Sequence, residues 1–131
     1  MTKQELERMS DLGTQLERLR QKQDELFDQR TRITAVYSDM PKGGQYVDQM
    51  AEYVARLEEM ELEYKEVFDE HTNLLIRYTK AVATLRGRER RVLELRYMKH
   101  MNWRKIAWKM NYSEPRLIHI HAEALHKIEQ F

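Results

Sequence analysis

The stretch Asn102-Trp103-Arg104-Lys105-Ile106-Ala107-Trp108-Lys109-Met110-Asn111-Tyr112-Ser113-Glu114-Pro115-Arg116-Leu117 decides how this chain is read. Asn102 is a favourable N-cap, so a helix is expected over residues 103–110. Asn111 tolerates the left-handed conformation that ends a helix. Ser113 caps a second helix whose first turn holds Glu114 and Pro115, where a carboxylate and a missing N–H are both tolerated. Leu117, Ile120, Ala124, Leu125 and Ile128 give that helix an apolar face. Leu117-Ile118-His119-Ile120-His121 also alternates like a strand, but the preceding cap and the continuing 3.6-residue period favour helix. Two short helices joined through Asn111-Tyr112 read as a helix-turn-helix.

Such a unit lays its second helix in the DNA major groove and presents the N-terminal residues to base edges. The residues so placed are Glu114, Pro115, Arg116 and, one turn on, His119. Arg116 has the donors for two bonds to guanine, and Glu114 accepts from cytosine. Phosphate contacts are expected from Trp103, Arg104, Lys105 and Ser113, because helix N-terminal amides and cations both attract phosphate. Trp103 and Trp108 are five apart and point to different faces, one toward the core.

Charge supports a polyanionic partner for this end of the chain. Residues 86–131 hold 11 Lys+Arg and 5 Asp+Glu, a balance of +6, whereas residues 1–85 hold 12 and 17, a balance of −5. The formal net charge of +1 conceals this asymmetry.

Upstream of Arg88 a helix over about 88–99 places Val92, Leu95 and Met98 on one face, with Leu93 and Tyr97 beside them. Further upstream, strong breakers occur only at Ser38–Gln45, with Pro41 and Gly43-Gly44, and at Gly87. Between them lie two helical segments, roughly 3–37 and 46–84. The first repeats Leu6, Met9, Leu12, Leu16, Leu19, Leu26 and Ile33 at heptad spacing, with Gln23 and Arg30 as polar interruptions. The second repeats Val47, Met50, Val54, Leu57, Met60, Tyr64, Val67, Leu74, Tyr78 and Val82, with His71 in the seam. The expected fold is all-α: a long antiparallel, coiled-coil-like hairpin over 1–85, followed by a helix-turn-helix domain over 86–131. A two-helix hairpin buries one thin seam, so self-association is expected as well.

Arg88-Glu89-Arg90-Arg91-Val92-Leu93-Glu94-Leu95-Arg96-Tyr97 resembles the helix that opens region 4 of bacterial sigma factors. Trp103-Arg104-Lys105-Ile106-Ala107 resembles the next helix of that region, and residues 113–128, with their Ala-x-Ala-Leu-x-Lys-Ile ending, resemble its recognition helix. The whole chain is similar to small phage-encoded regulators of the RinA/ArpU type, which act on late transcription. The resemblance implies base contacts at Glu114, Pro115, Arg116 and His119. Pro115 departs from the pattern, since a polar residue is usual there. Residues 1–85 are expected to self-associate or to contact RNA polymerase.

Other chemistry is poorly represented. The chain has no Cys, hence no disulfide framework and no thiolate metal site. His119, Glu123 and His126 share a helix face but lack further ligands for a metal. Gly43-Gly44 is not followed by the Lys-Ser or Lys-Thr of a phosphate-binding loop, and no nucleophile arrangement is recognisable. Neither an enzyme nor a cofactor is expected. No apolar run reaches membrane-spanning length and the first residues do not form a secretory signal, so a cytoplasmic protein is expected. The alternatives are the small subunit of a phage DNA-packaging terminase, and a polymerase-binding helical module without a DNA site of its own.

Overall fold

The computed structural model describes residues 1–40 and 43–131; Pro41 and Lys42 of the expected loop lie outside the described residues. The described chain is all-helical, with α1 (Lys3–Val36), α2 (Gly44–Val82), α3 (Gly87–Leu93), α4 (Trp103–Met110) and α5 (Glu114–Ile128). A π-helical turn, Glu94–Met98, continues α3 directly. No strand occurs among the described residues, and 117–121 is helical. Long runs of Glu, Gln, Lys, Arg and Leu account for α1 and α2, since these side chains lose little rotamer freedom in a helix.

The chain divides into two compact units, Thr14–Asp69 and Met1–Gly13 with Glu70–Phe131. In the first, α1 and α2 touch along their polar and aromatic side chains. Arg56 donates to the Gln29 side chain at 3.2 Å, and the Tyr37 and Tyr46 rings meet edge to face at 5.4 Å. Ile33, Tyr37 and Tyr53 form the buried centre, packed by Leu26, Tyr46, Met50 and Leu57.

The seam of α2 differs from its expected register. Val47, Val54 and Tyr64 are exposed, at 57%, 44% and 41%, whereas Tyr53 is buried. The reason is aromatic area. Tyr46 and Tyr53 are seven apart and cover Ile33 and Tyr37 with larger side chains than Val47 and Val54 supply. Turning that pair inward rotates each following residue about 100° toward solvent.

The second unit contains residues 86–131, and the expected boundary at 85/86 falls inside it. Its largest core joins Leu6 and Met9 of α1, Tyr78, Ala81 and Val82 of α2, Leu85, Leu93, Tyr97, and Ala124 and Ile128 of α5. A separate core joins Val92 and Leu95 to Ile106, Ala107, Leu117 and Ile120. The α3–π segment is therefore apolar on two sides. Leu93 and Tyr97 face the start of α1 and the end of α2, while Val92 and Leu95 face α4 and α5.

Polar groups fix this arrangement. Arg90 donates to the carbonyls of Val82 at 3.1 Å, Ala83 at 3.5 Å and Leu85 at 3.3 Å. These carbonyls end α2 and its following turn, where intrahelical partners run out. Glu89 is buried; it accepts from Lys127 of α5 at 2.7 Å and from the Arg86 backbone N–H at 3.4 Å, which satisfies the N-cap donor of α3. Burial raises the Glu89 carboxyl, but the Lys127 and Arg86 bonds and charges outweigh it and hold the carboxyl below its ordinary value. On the surface, Arg8 binds Glu70 with two bonds of 2.8 Å, and Arg77 binds Glu5.

Residues 86–131 thus owe part of their core to α1 and α2. Leu6→Ala, far away in sequence, should destabilise the full chain by about 2–5 kcal/mol in urea unfolding. A loss under about 0.5 kcal/mol would show that α1 does not support this unit.

Candidate nucleic-acid interface

The α4–α5 corner is built from local signals. The Asn102 side chain accepts from the Lys105 backbone at 2.8 Å and starts α4. Asn111 ends it in the left-handed region, at φ 58° and ψ 38°. The Tyr112 N–H then donates back to the Ala107 carbonyl at 3.1 Å. Ser113 starts α5 by accepting from the Arg116 backbone at 3.3 Å, and Pro115 occupies the first turn, where its missing donor costs nothing. Ile106 and Ala107 pack against Leu117 and Ile120 and lock the two helices together.

Seven of the eight expected contact residues, Glu114, Pro115, Arg116, His119, Arg104, Lys105 and Ser113, are exposed. No ion pair joins Arg116 to Glu114 or to any other described residue. His119 pairs with Glu123 on its own helix at 3.1 Å. The Ser113 hydroxyl is engaged as the cap of α5. Trp103 is half-buried. Its ring meets His121 edge to face at 4.7 Å, and the Arg96 guanidinium lies 4.7 Å from its centroid. Among the described residues, no three His, Asp or Glu are placed to hold a metal ion.

Two surface residues were not singled out as base contacts from sequence. Trp108 is 81% exposed on α4, and Ile118 is 52% exposed on α5. The wheel of α5 carries the signal for Ile118, which is turned about 120° from Ala124 and about 160° from Ile120, the centre of the buried face. Charge reinforces this surface. The unit Met1–Gly13 with Glu70–Phe131 has 15 Lys+Arg against 9 Asp+Glu, a balance of +6; Thr14–Asp69 has 8 against 13, a balance of −5.

Beneath the corner lies a buried polar pair. Tyr97 Oη and His121 Nε2 are 2.8 Å apart, with the rings stacked at 5.8 Å. Burial, aided by the charges of Lys3 and Arg96, pushes the His121 imidazole down to about 4. Burial, aided by Glu7, pushes the Tyr97 hydroxyl up to about 12. Both side chains are therefore neutral at neutral pH.

No known protein family, curated protein or solved structure matches this chain. Among the described residues, no helix is long and apolar enough to cross a membrane.

His121 gives the unit a pH dependence of definite sign. The unfolded chain takes up a proton near 6.5 and the folded chain only near 4, so protons favour unfolding between those values. Stability should be full above about pH 6.5 and fall as the pH drops toward 4. Melting temperatures across that window should show a slope that His121→Phe flattens. An unchanged slope in the variant would clear His121 of this role.

Proposed function

We propose that the protein is a sequence-specific DNA-binding transcriptional regulator of phage or prophage origin, acting on late genes in the cytoplasm. In this reading α4 and α5 are a helix-turn-helix similar to sigma factor region 4, and α5 enters the major groove. One observation carries it. A capped helix exposes Arg116 at its start, and the capped helix before it exposes Arg104 and Lys105 at its own start, on a unit of charge +6. RNA polymerase is a second partner in this reading, met through residues 1–85. No catalysis and no cofactor are assigned.

The long helices serve as the self-association element, an antiparallel coiled-coil-like hairpin. Tyr46, Val47, Met50, Ala51, Val54, Ala55 and Glu58 line a groove of about 510 Å³ on α2. Val47, Ala51 and Val54 repeat the four-three spacing of a helix seam. Residues 44–69 carry eight acidic and two basic side chains, while residues 14–36 carry five basic and four acidic. Hence α2 of one copy complements α1 of another.

Binding titrations test the DNA reading. Arg116→Ala should weaken a selected site by about 1–3 kcal/mol and relax preference at one base pair. Lys105→Ala should weaken selected and scrambled duplexes alike and lower the salt slope by about one. Equal losses on both duplexes for Arg116→Ala would move Arg116 from base readout to phosphate contact.

Sedimentation tests the other half. The wild type should run as a dimer or larger species at micromolar concentration, and Val54→Asp should shift it toward monomer with its helical signal intact. A folded wild-type monomer would refute self-association, and a closed ring would favour the packaging-terminase alternative.

A further inference from the structure

The exposed side of α5 is mixed: Glu114, Arg116, His119, His126 and Lys127 are polar, and among them lies one short apolar strip. Pro115, Ile118 and Ala122 are exposed, and their three- and four-residue spacing sets them along one side of the helix, away from Leu117, Ile120 and Ala124. His119 borders this strip, Arg116 stands farther round the helix, and the exposed cations Arg104, Lys105 and Lys109 stand on α4. An apolar strip set in positive charge does not suit a second copy of the same surface, because like charges would be brought together. It suits a polyanion that displays small apolar groups at groove depth. Duplex DNA does so through the thymine C5-methyl, which lies in the major groove and packs against apolar side chains. RNA does not, since uracil lacks the methyl and its major groove is too narrow and deep for side chains to read.

We propose that Pro115, Ile118 and Ala122 form a thymine-methyl contact surface, with Ile118 as its central residue, so that the bound site contains thymines whose methyls line the major groove under this side of α5. This rests on the DNA-binding reading above. It also gives Pro115 a role that needs no hydrogen bond: its ring packs on a methyl, and its side chain has nothing polar to leave unpaired.

The experiment uses the full-length protein and a duplex enriched by binding from a random-sequence pool. The enriched duplex is resynthesised with deoxyuridine in place of thymidine, which removes only the methyl groups. Wild-type affinity should fall at least about fivefold on the deoxyuridine duplex. Ile118→Ala should bind the thymidine duplex about as weakly as the wild type binds the deoxyuridine duplex, with little further loss when both changes combine. Ile118→Val, which keeps a branched apolar contact, should retain most of the discrimination. Ile118 is exposed, so truncating it leaves both cores intact. Tight binding with equal affinity for thymidine and deoxyuridine duplexes would overturn the methyl contact while DNA binding stands. Additive losses from Ile118→Ala and deoxyuridine would also overturn it. Failure to enrich any duplex would overturn the DNA reading and this inference together.

Discussion

The two-sided burial of α3 and its π-helical continuation is the constraint on which the C-terminal structure depends. A helix apolar on one side needs one partner surface. Here Val92 and Leu95 require α4 and α5, while Leu93 and Tyr97 require the beginning of α1 and the end of α2. Neither core could be left open without exposing several large apolar side chains to water. The polar contacts follow the same logic. Arg90 closes the end of α2, and Glu89 ties α3 to α5 through Lys127. The bond from the Lys99 N–H to the Glu94 carbonyl at 3.0 Å closes the wider π turn, after which the chain proceeds to the Asn102 cap.

This constraint explains which parts of the fold were legible. Caps are local, and Asn102, Asn111 and Ser113 each hold the role their chemistry predicts. The apolar face of α5 was legible for the same reason, since Leu117, Ile120, Ala124 and Ile128 recur at helical spacing and all are buried. The seam of α2 was legible at Met50, Leu57, Met60 and Val67, but not at Val47, Val54 or Tyr64. Near the loop, two valines and two tyrosines compete for the same role one residue apart, and periodicity alone does not rank them. What decides is the shape of Ile33 on α1 and of Tyr37 just after its end. The reach of the C-terminal unit into residues 1–13 was hidden too. Leu6 and Met9 continue the heptads of α1, and nothing in that spacing says that they face Leu93 and Tyr97.

The candidate interface was read in part. Charged residues at the start of α4 and α5 stand out in sequence because exposure is their default. Trp103 illustrates the reverse. It sits at the first position of α4 among cations, yet its ring is drawn inward by His121 and Arg96. Ile118 was obscured because an isoleucine two residues before Ile120 reads as part of a core or of an alternating strand. Only with α5 locked by Ile106 and Ala107 does one isoleucine face inward and the other outward.

The two tryptophans of the chain are divided by the same packing. Trp103 is wedged against an imidazole and a guanidinium, whereas Trp108 projects into solvent from the neighbouring turn. Their intrinsic fluorescence is accordingly separable. Trp103 emits from a partly shielded site with His121 as a quencher at ring contact, so its yield follows the integrity and protonation of the interior. Trp108 emits as a hydrated indole, and its spectrum follows whatever is laid across α4. With Trp108 replaced by phenylalanine the remaining emission reports folding, and with Trp103 replaced it reports occupancy of the surface.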